Sequence, residues 1–118
     1  ITDRDRALTT RRFGELAGEV YELSNSEAME ALGKEFRTPG HIPLCRESPG
    51  GLSKRQGHTE LAVAIARLSG NIPCTIGAEM LDPDGDGALS LQEARKYAEE
   101  HGIPMITGND IMESMDMV

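Results

Sequence analysis

The chain carries 118 residues, 12 basic against 20 acidic, for a formal charge of −8. That acidic balance and the scattering of Lys and Arg argue against nonspecific nucleic-acid binding, and 3% aromatic residues leave no stacking platform for single strands. No apolar run approaches the roughly 20 residues of a membrane span and no signal peptide is visible, so a cytoplasmic domain with one real core is expected.

The first residues, Ile1-Thr2-Asp3-Arg4-Asp5-Arg6, do not include an initiator Met and read as the approach to a helix, which suggests a piece of a longer protein. Thr2 suits an N-cap with Asp5 as its acidic partner three residues on. Phe13, Leu16, Ala17 and Val20 then form a stripe, predicting a helix over about 3–22. Ser24 to Leu32 reads as a second short helix or a loop closed by Gly33. Arg37-Thr38-Pro39-Gly40 is a turn, and 41–45 a short extended segment in which Pro43 suits an edge. After the breaker-rich loop 48–51, a helix is expected from Thr59 to near Gly70. Ile72 to Leu81 is mostly apolar and reads as a buried strand ending near Glu79.

Residues 82–87 form an acidic turn. Ser90 and Glu93 make a capping box opening a helix to His101, with Gly102 as its stop. Residues 103–107 read as a strand and Asn109–Met117 as a last helix. Alternation of helices and strands predicts an α/β class, α+β being the variant, with a layered mixed sheet covered by helices. No repeat, linker or internal domain boundary stands out. Cys45 and Cys74 lie in extended apolar stretches and read as reduced core thiols.

The densest chemistry lies in Arg55-Gln56-Gly57-His58-Thr59-Glu60. Leu61, Ala64, Ile65 and Leu68 follow at helical spacing, so the cluster sits where a helix begins. Helix starts offer unpaired N–H groups and partial positive charge to anions such as phosphate. Arg55 and the Thr59 hydroxyl can complete a cradle, leaving His58 as metal ligand or proton carrier. The plainer reading is a turn with Thr59 as cap. His41 alone reads as an exposed turn histidine, and Glu79 alone as the partner of a cation.

A second pattern is Asp82, Asp84, Asp86, Gly87, Leu89, Ser90 and Glu93, which fits the EF-hand loop position for position. Against a calcium module stand the absence of a paired loop, Pro73 and Gly77 in the incoming segment, and the capping role of Ser90 and Glu93. A solvated acidic turn explains the same residues.

Four segments in order resemble the 3,4-dihydroxy-2-butanone 4-phosphate synthase family of riboflavin biosynthesis, archaeal members in particular: residues 1–6, Arg37-Thr38-Pro39-Gly40-His41, Arg55 to Glu60, and Ala78-Glu79-Met80 before an acidic turn. The likeness spans nearly all 118 residues and corresponds to the C-terminal portion of that family's single domain. It implies a lyase that converts ribulose 5-phosphate to 3,4-dihydroxybutan-2-one 4-phosphate and formate, with Mg2+ or Mn2+ stabilising the enediolate. His41 and Glu79 match residues needed for activity. Arg55, Gln56, Gly57, His58 and Thr59 match substrate-binding positions, with Asp5 structural or substrate-adjacent. His58 matches the metal ligand. The resemblance also implies a homodimer with active sites at the subunit interface, where His41 serves the neighbour. The family's acidic loop, which brings the carboxylate metal ligand, has no counterpart within these residues. On this reading the 118 residues alone lack turnover, and a non-catalytic phosphosugar-binding half-domain is the remaining alternative.

Overall fold

The computed structural model describes residues 1–116, which fall into two compact units, one running to Ile76 and the other starting at Gly77. The expected end of the last helix at Met117 lies outside the described residues. Among the described residues there are five α-helices: α1 Asp3–Glu19, α2 Asn25–Glu35, α3 His58–Leu68, α4 Leu91–His101 and α5 Gly108–Ser114.

In the first unit, Thr2 and Asp5 form the expected capping box: the Thr2 hydroxyl accepts from the Asp5 N–H at 3.1 Å, and Asp5 Oδ2 accepts from the Thr2 N–H at 3.1 Å. The helix tightens into a 3-10 turn over Val20–Glu22, where a single long helix was expected. Ser24 and Glu27 cap α2 in the same reciprocal way. Gly33 does not close this helix, which runs to Glu35 with Phe36 as its C-cap. Glycine costs a helix interior about 1 kcal/mol against alanine. Side-chain bonds beyond it oppose that cost: Lys34 pairs with Glu30 at 2.7 Å, and Glu35 accepts from Arg12 of α1 at 2.7 Å. Phe13 and Phe36 meet edge to face at 5.8 Å, and Leu16 is buried. A 3-10 turn over Gly51–Ser53, read from sequence only as loop, follows Gly50 at φ 93° and buries Leu52. Helix α3 ends where Gly70 adopts φ 71° and the Asn71 N–H reaches back to the Ala66 carbonyl at 2.9 Å. Arg67 on α3 binds Glu47 with two hydrogen bonds, one of 3.0 Å.

In the second unit, the acidic turn is a tight reversal. Leu81 and Ala88 form an antiparallel bridge, and the Asp82 N–H donates to the Gly87 carbonyl at 2.9 Å. Ser90 caps α4, accepting the Glu93 N–H at 3.2 Å, but the returning arm of the expected box is absent among the described residues. Gly102 stops α4 at φ 62°, as read from sequence. Thr107, expected at a strand end, instead caps α5 in a box with Asp110.

The expected mixed sheet is not present among the described residues. Segments 41–45, 72–81 and 103–107 run without ladder partners, apart from the single bridge at Leu81. A strand exists only as half of a pair, and an apolar run specifies extension without supplying its partner. Burial fails with pairing: Ile76 is 74% exposed in a segment expected to be a buried strand. The cysteines follow the same logic. Both are free, but Cys45 is exposed and Cys74 only half-buried, so neither is a core thiol.

Candidate active site

Helix α3 begins at His58, one residue earlier than the sequence suggested, because Gly57 takes the N-cap position with extended angles of −90° and 171°. Thr59 therefore lies in the first helical turn and is not the cap. Among the described residues no side chain caps α3, whereas α1, α2 and α5 carry reciprocal boxes. The first intrahelical bond runs from the Leu61 N–H to the Gly57 carbonyl at 3.0 Å. A helix start of this kind presents N–H groups and the positive end of the macrodipole outward.

Glu60 closes the cluster from beneath. Its side chain is fully buried, the one buried charged residue among those described. Arg55 Nη1 donates to Glu60 Oε1 at 3.0 Å and to Oε2 at 3.2 Å, and the Ser48 hydroxyl donates to Oε1 at 3.3 Å. Burial alone would raise the Glu60 carboxyl. The hydrogen bonds from Arg55, its own backbone N–H and Ser48 outweigh that and hold it below the ordinary carboxylate range. The Arg55 side chain itself stays 58% exposed. Its guanidinium lies against Gly57: a Cβ there would overlap Nη1 and come within 2.8 Å of Cζ.

Sequence reasoning assigned Arg55 to an anion and passed over Glu60 and Ser48. The available signal was a carboxylate at position 60 on the same helical face as Ala64, since a charge on a buried face needs a partner. Gln56 is exposed, His58 is exposed at the first position of α3, and Thr59 is half-buried beside it. Asp5 is spent on the α1 cap, its carboxylate held by Thr2 and lowered by those bonds. His41 is exposed in a bend of the first unit. Glu79 is exposed and belongs to the second unit, on the segment leading to the acidic turn.

Arg55, Gly57, Glu60 and Ser48 are thus brought together at the start of α3. Surface depressions of about 610 and 400 Å³ lie elsewhere, the first beside Ile65, Ser69 and Ile72, the second along α4 beside Leu89 and Tyr97. Neither is lined by His41, Arg55, His58, Thr59 or Glu79. Among the described residues no three His, Cys, Asp or Glu side chains converge on a position that could hold a metal. Asp82, Asp84, Asp86 and Glu93 are accordingly not gathered into such a group, and Asp82 Oδ1 accepts from the Asp84 N–H at 2.9 Å in an Asx turn.

Residues 1–114 match the family model described as 3,4-dihydroxy-2-butanone 4-phosphate synthase. The chain is similar to the synthases of that name from Methanosarcina mazei, 44% identical over 114 residues, and Archaeoglobus fulgidus, 45% identical over 113 residues. These alignments cover 97% and 96% of the chain, but 44% and 46% of the relatives. A riboflavin biosynthesis protein RibBA from Mycobacterium marinum is 32% identical over 114 residues, covering 96% of the chain and 24% of that protein. The chain thus spans less than half the length of the relatives it matches. By the extent of the family match and the rank of its archaeal relatives, the chain belongs to the 3,4-dihydroxy-2-butanone 4-phosphate synthase family.

Proposed function

We propose that the protein containing this chain is a lyase that converts ribulose 5-phosphate to 3,4-dihydroxybutan-2-one 4-phosphate and formate, and that the mouth of α3 binds the sugar phosphate. The observation that carries the reading is the uncapped α3 N-terminus flanked by Arg55, in a chain whose family makes this product. A phosphate set there would meet first-turn N–H groups, the Thr59 hydroxyl and the solvent-facing side of the Arg55 guanidinium. Gly57 lets backbone approach the ligand without a side chain in the way.

The reaction removes a proton beside a carbonyl, passes through an enediolate and rearranges the carbon skeleton before one carbon leaves as formate. Such proton transfers need groups that can take and return a proton near neutrality. His41 and Glu79 fill those roles in this proposal, with Gln56 and His58 facing the sugar. Asp5 serves the start of α1. Mg2+ or Mn2+ would stabilise enediolate charge, and His58 is the ligand we assign to it from this chain. Mg2+ prefers several oxygen donors. The described residues do not supply such a set by themselves, so no step is assigned to the ion. The enzyme is proposed to work in the cytoplasm as a homodimer; no described helix is long and apolar enough to cross a membrane.

Formate release from ribulose 5-phosphate tests the reading, on the full polypeptide that contains these residues. His58→Ala is expected to abolish release while leaving the far-UV circular dichroism unchanged. Wild-type turnover in that variant would sink the proposal.

A further inference from the structure

The ion pair beneath the helix mouth has an electrostatic oddity. Arg55 places a cation against the N-cap of α3, where the macrodipole is already positive. For helix stability alone this is the wrong sign. Glu60 offsets it from below, and only one guanidinium nitrogen is used in doing so, because both carboxylate oxygens bind Nη1. The Ser48 hydroxyl also donates to that carboxylate. Gly57 supplies the seat, since any side chain there would collide with the guanidinium. A flexible arginine at a loop end is thereby held in one place, with its charge at the positive end of a helix and the bulk of its surface exposed.

We propose that Glu60 is a positioning residue: buried and hydrogen-bonded by Ser48, it locks Arg55 over Gly57 so that guanidinium and helix start together face one phosphate group. This rests on the assignment of the α3 mouth to the phosphate. It accounts for a carboxylate buried and bound by Arg55 and Ser48 at the helix start, because an arginine ordered in advance loses less freedom when it binds. It also makes Glu60 and Ser48 one device acting on Arg55, with Gly57 as its seat.

The test is a cycle on the full polypeptide, reading calorimetric affinity for inorganic phosphate beside KM and kcat for ribulose 5-phosphate. Glu60→Gln keeps the shape and removes the charge. It is expected to weaken phosphate binding and raise KM by about tenfold, the scale of one charge-assisted hydrogen bond, with a smaller change in kcat. On an Arg55→Ala background the same substitution should add nothing. Gly57→Ala, which leaves both charges present and displaces the guanidinium, should reproduce the loss and likewise add nothing on the Arg55→Ala background, and that pair decides the matter if Glu60→Gln does not fold. Phosphate binding that is unchanged or tighter in Glu60→Gln or in Gly57→Ala overturns the proposal. So does a Glu60→Gln loss that persists in full without Arg55, or phosphate affinity indifferent to Arg55→Ala. A polypeptide that binds phosphate through Arg55 and Glu60 yet releases no formate would overturn the reaction assigned above and leave this role standing.

Discussion

Arg12 shows how much organisation one surface side chain can hold. From α1 it donates to Glu19 at 2.6 Å and 3.0 Å, to Glu15 at 3.3 Å, and to Glu35 of α2 at 2.7 Å. Its hydrogen bonds hold Glu19 and Glu35 below the ordinary carboxylate range, and together with Arg11 it does the same for Glu15. A carboxyl depressed in the fold stabilises above its unfolded pKa, and that contribution is lost as pH falls through the folded value. The urea midpoint is therefore expected to hold near neutrality and to drop as pH moves down through and below the carboxylate range. Arg12→Ala should shallow that drop, and added salt should shrink the difference between variant and wild type, because these charges are partly exposed. A midpoint whose pH dependence ignores Arg12 would contradict the network. The pairing of Arg12 with Glu35, 23 positions apart, was not legible in sequence, since nothing local says which way α2 folds back.

At the scale of elements, the parts governed by short-range chemistry were readable and the parts governed by pairing were not. Thr2 with Asp5, Ser90 as a cap and Gly102 as a stop depend on residues within one turn, and they stand where the pattern put them. Gly33 misled because a glycine signals a helix end only when nothing beyond it rewards continuation. The site split along the same line. The start of α3 came from local spacing to within one residue, whereas the Glu60–Arg55–Ser48 contacts needed the loop to fold. Gly14 and Gly33 sit in helices with open space where a Cβ would go. Gly14→Ala and Gly33→Ala should each therefore stabilise the fold, by about 0.5–1 kcal/mol in urea denaturation, through helix propensity and a less floppy unfolded chain. A loss of stability in either would mean that the helix in question does not form there.

For the whole molecule, family membership was legible because it rests on ordered short segments, while the sheet expected with it depends on strands meeting strands. What results, among the described residues, is a set of extended segments without ladder partners, chiefly residues 72–79 ahead of the bridge at Leu81, with Ile76 74% exposed. Such a stretch is a template onto which another extended chain can add. Two features resist this: Pro73, which cannot donate, and the net charge of −8, which keeps copies apart. The consequence belongs to colloid behaviour. The 118-residue polypeptide should stay dispersed in dilute, low-salt buffer and turn cloudy as ionic strength shortens the reach of its own repulsion. Ile76→Lys, placing a charge in the middle of the sticky stretch, should move that clouding threshold to higher salt, as followed by light scattering.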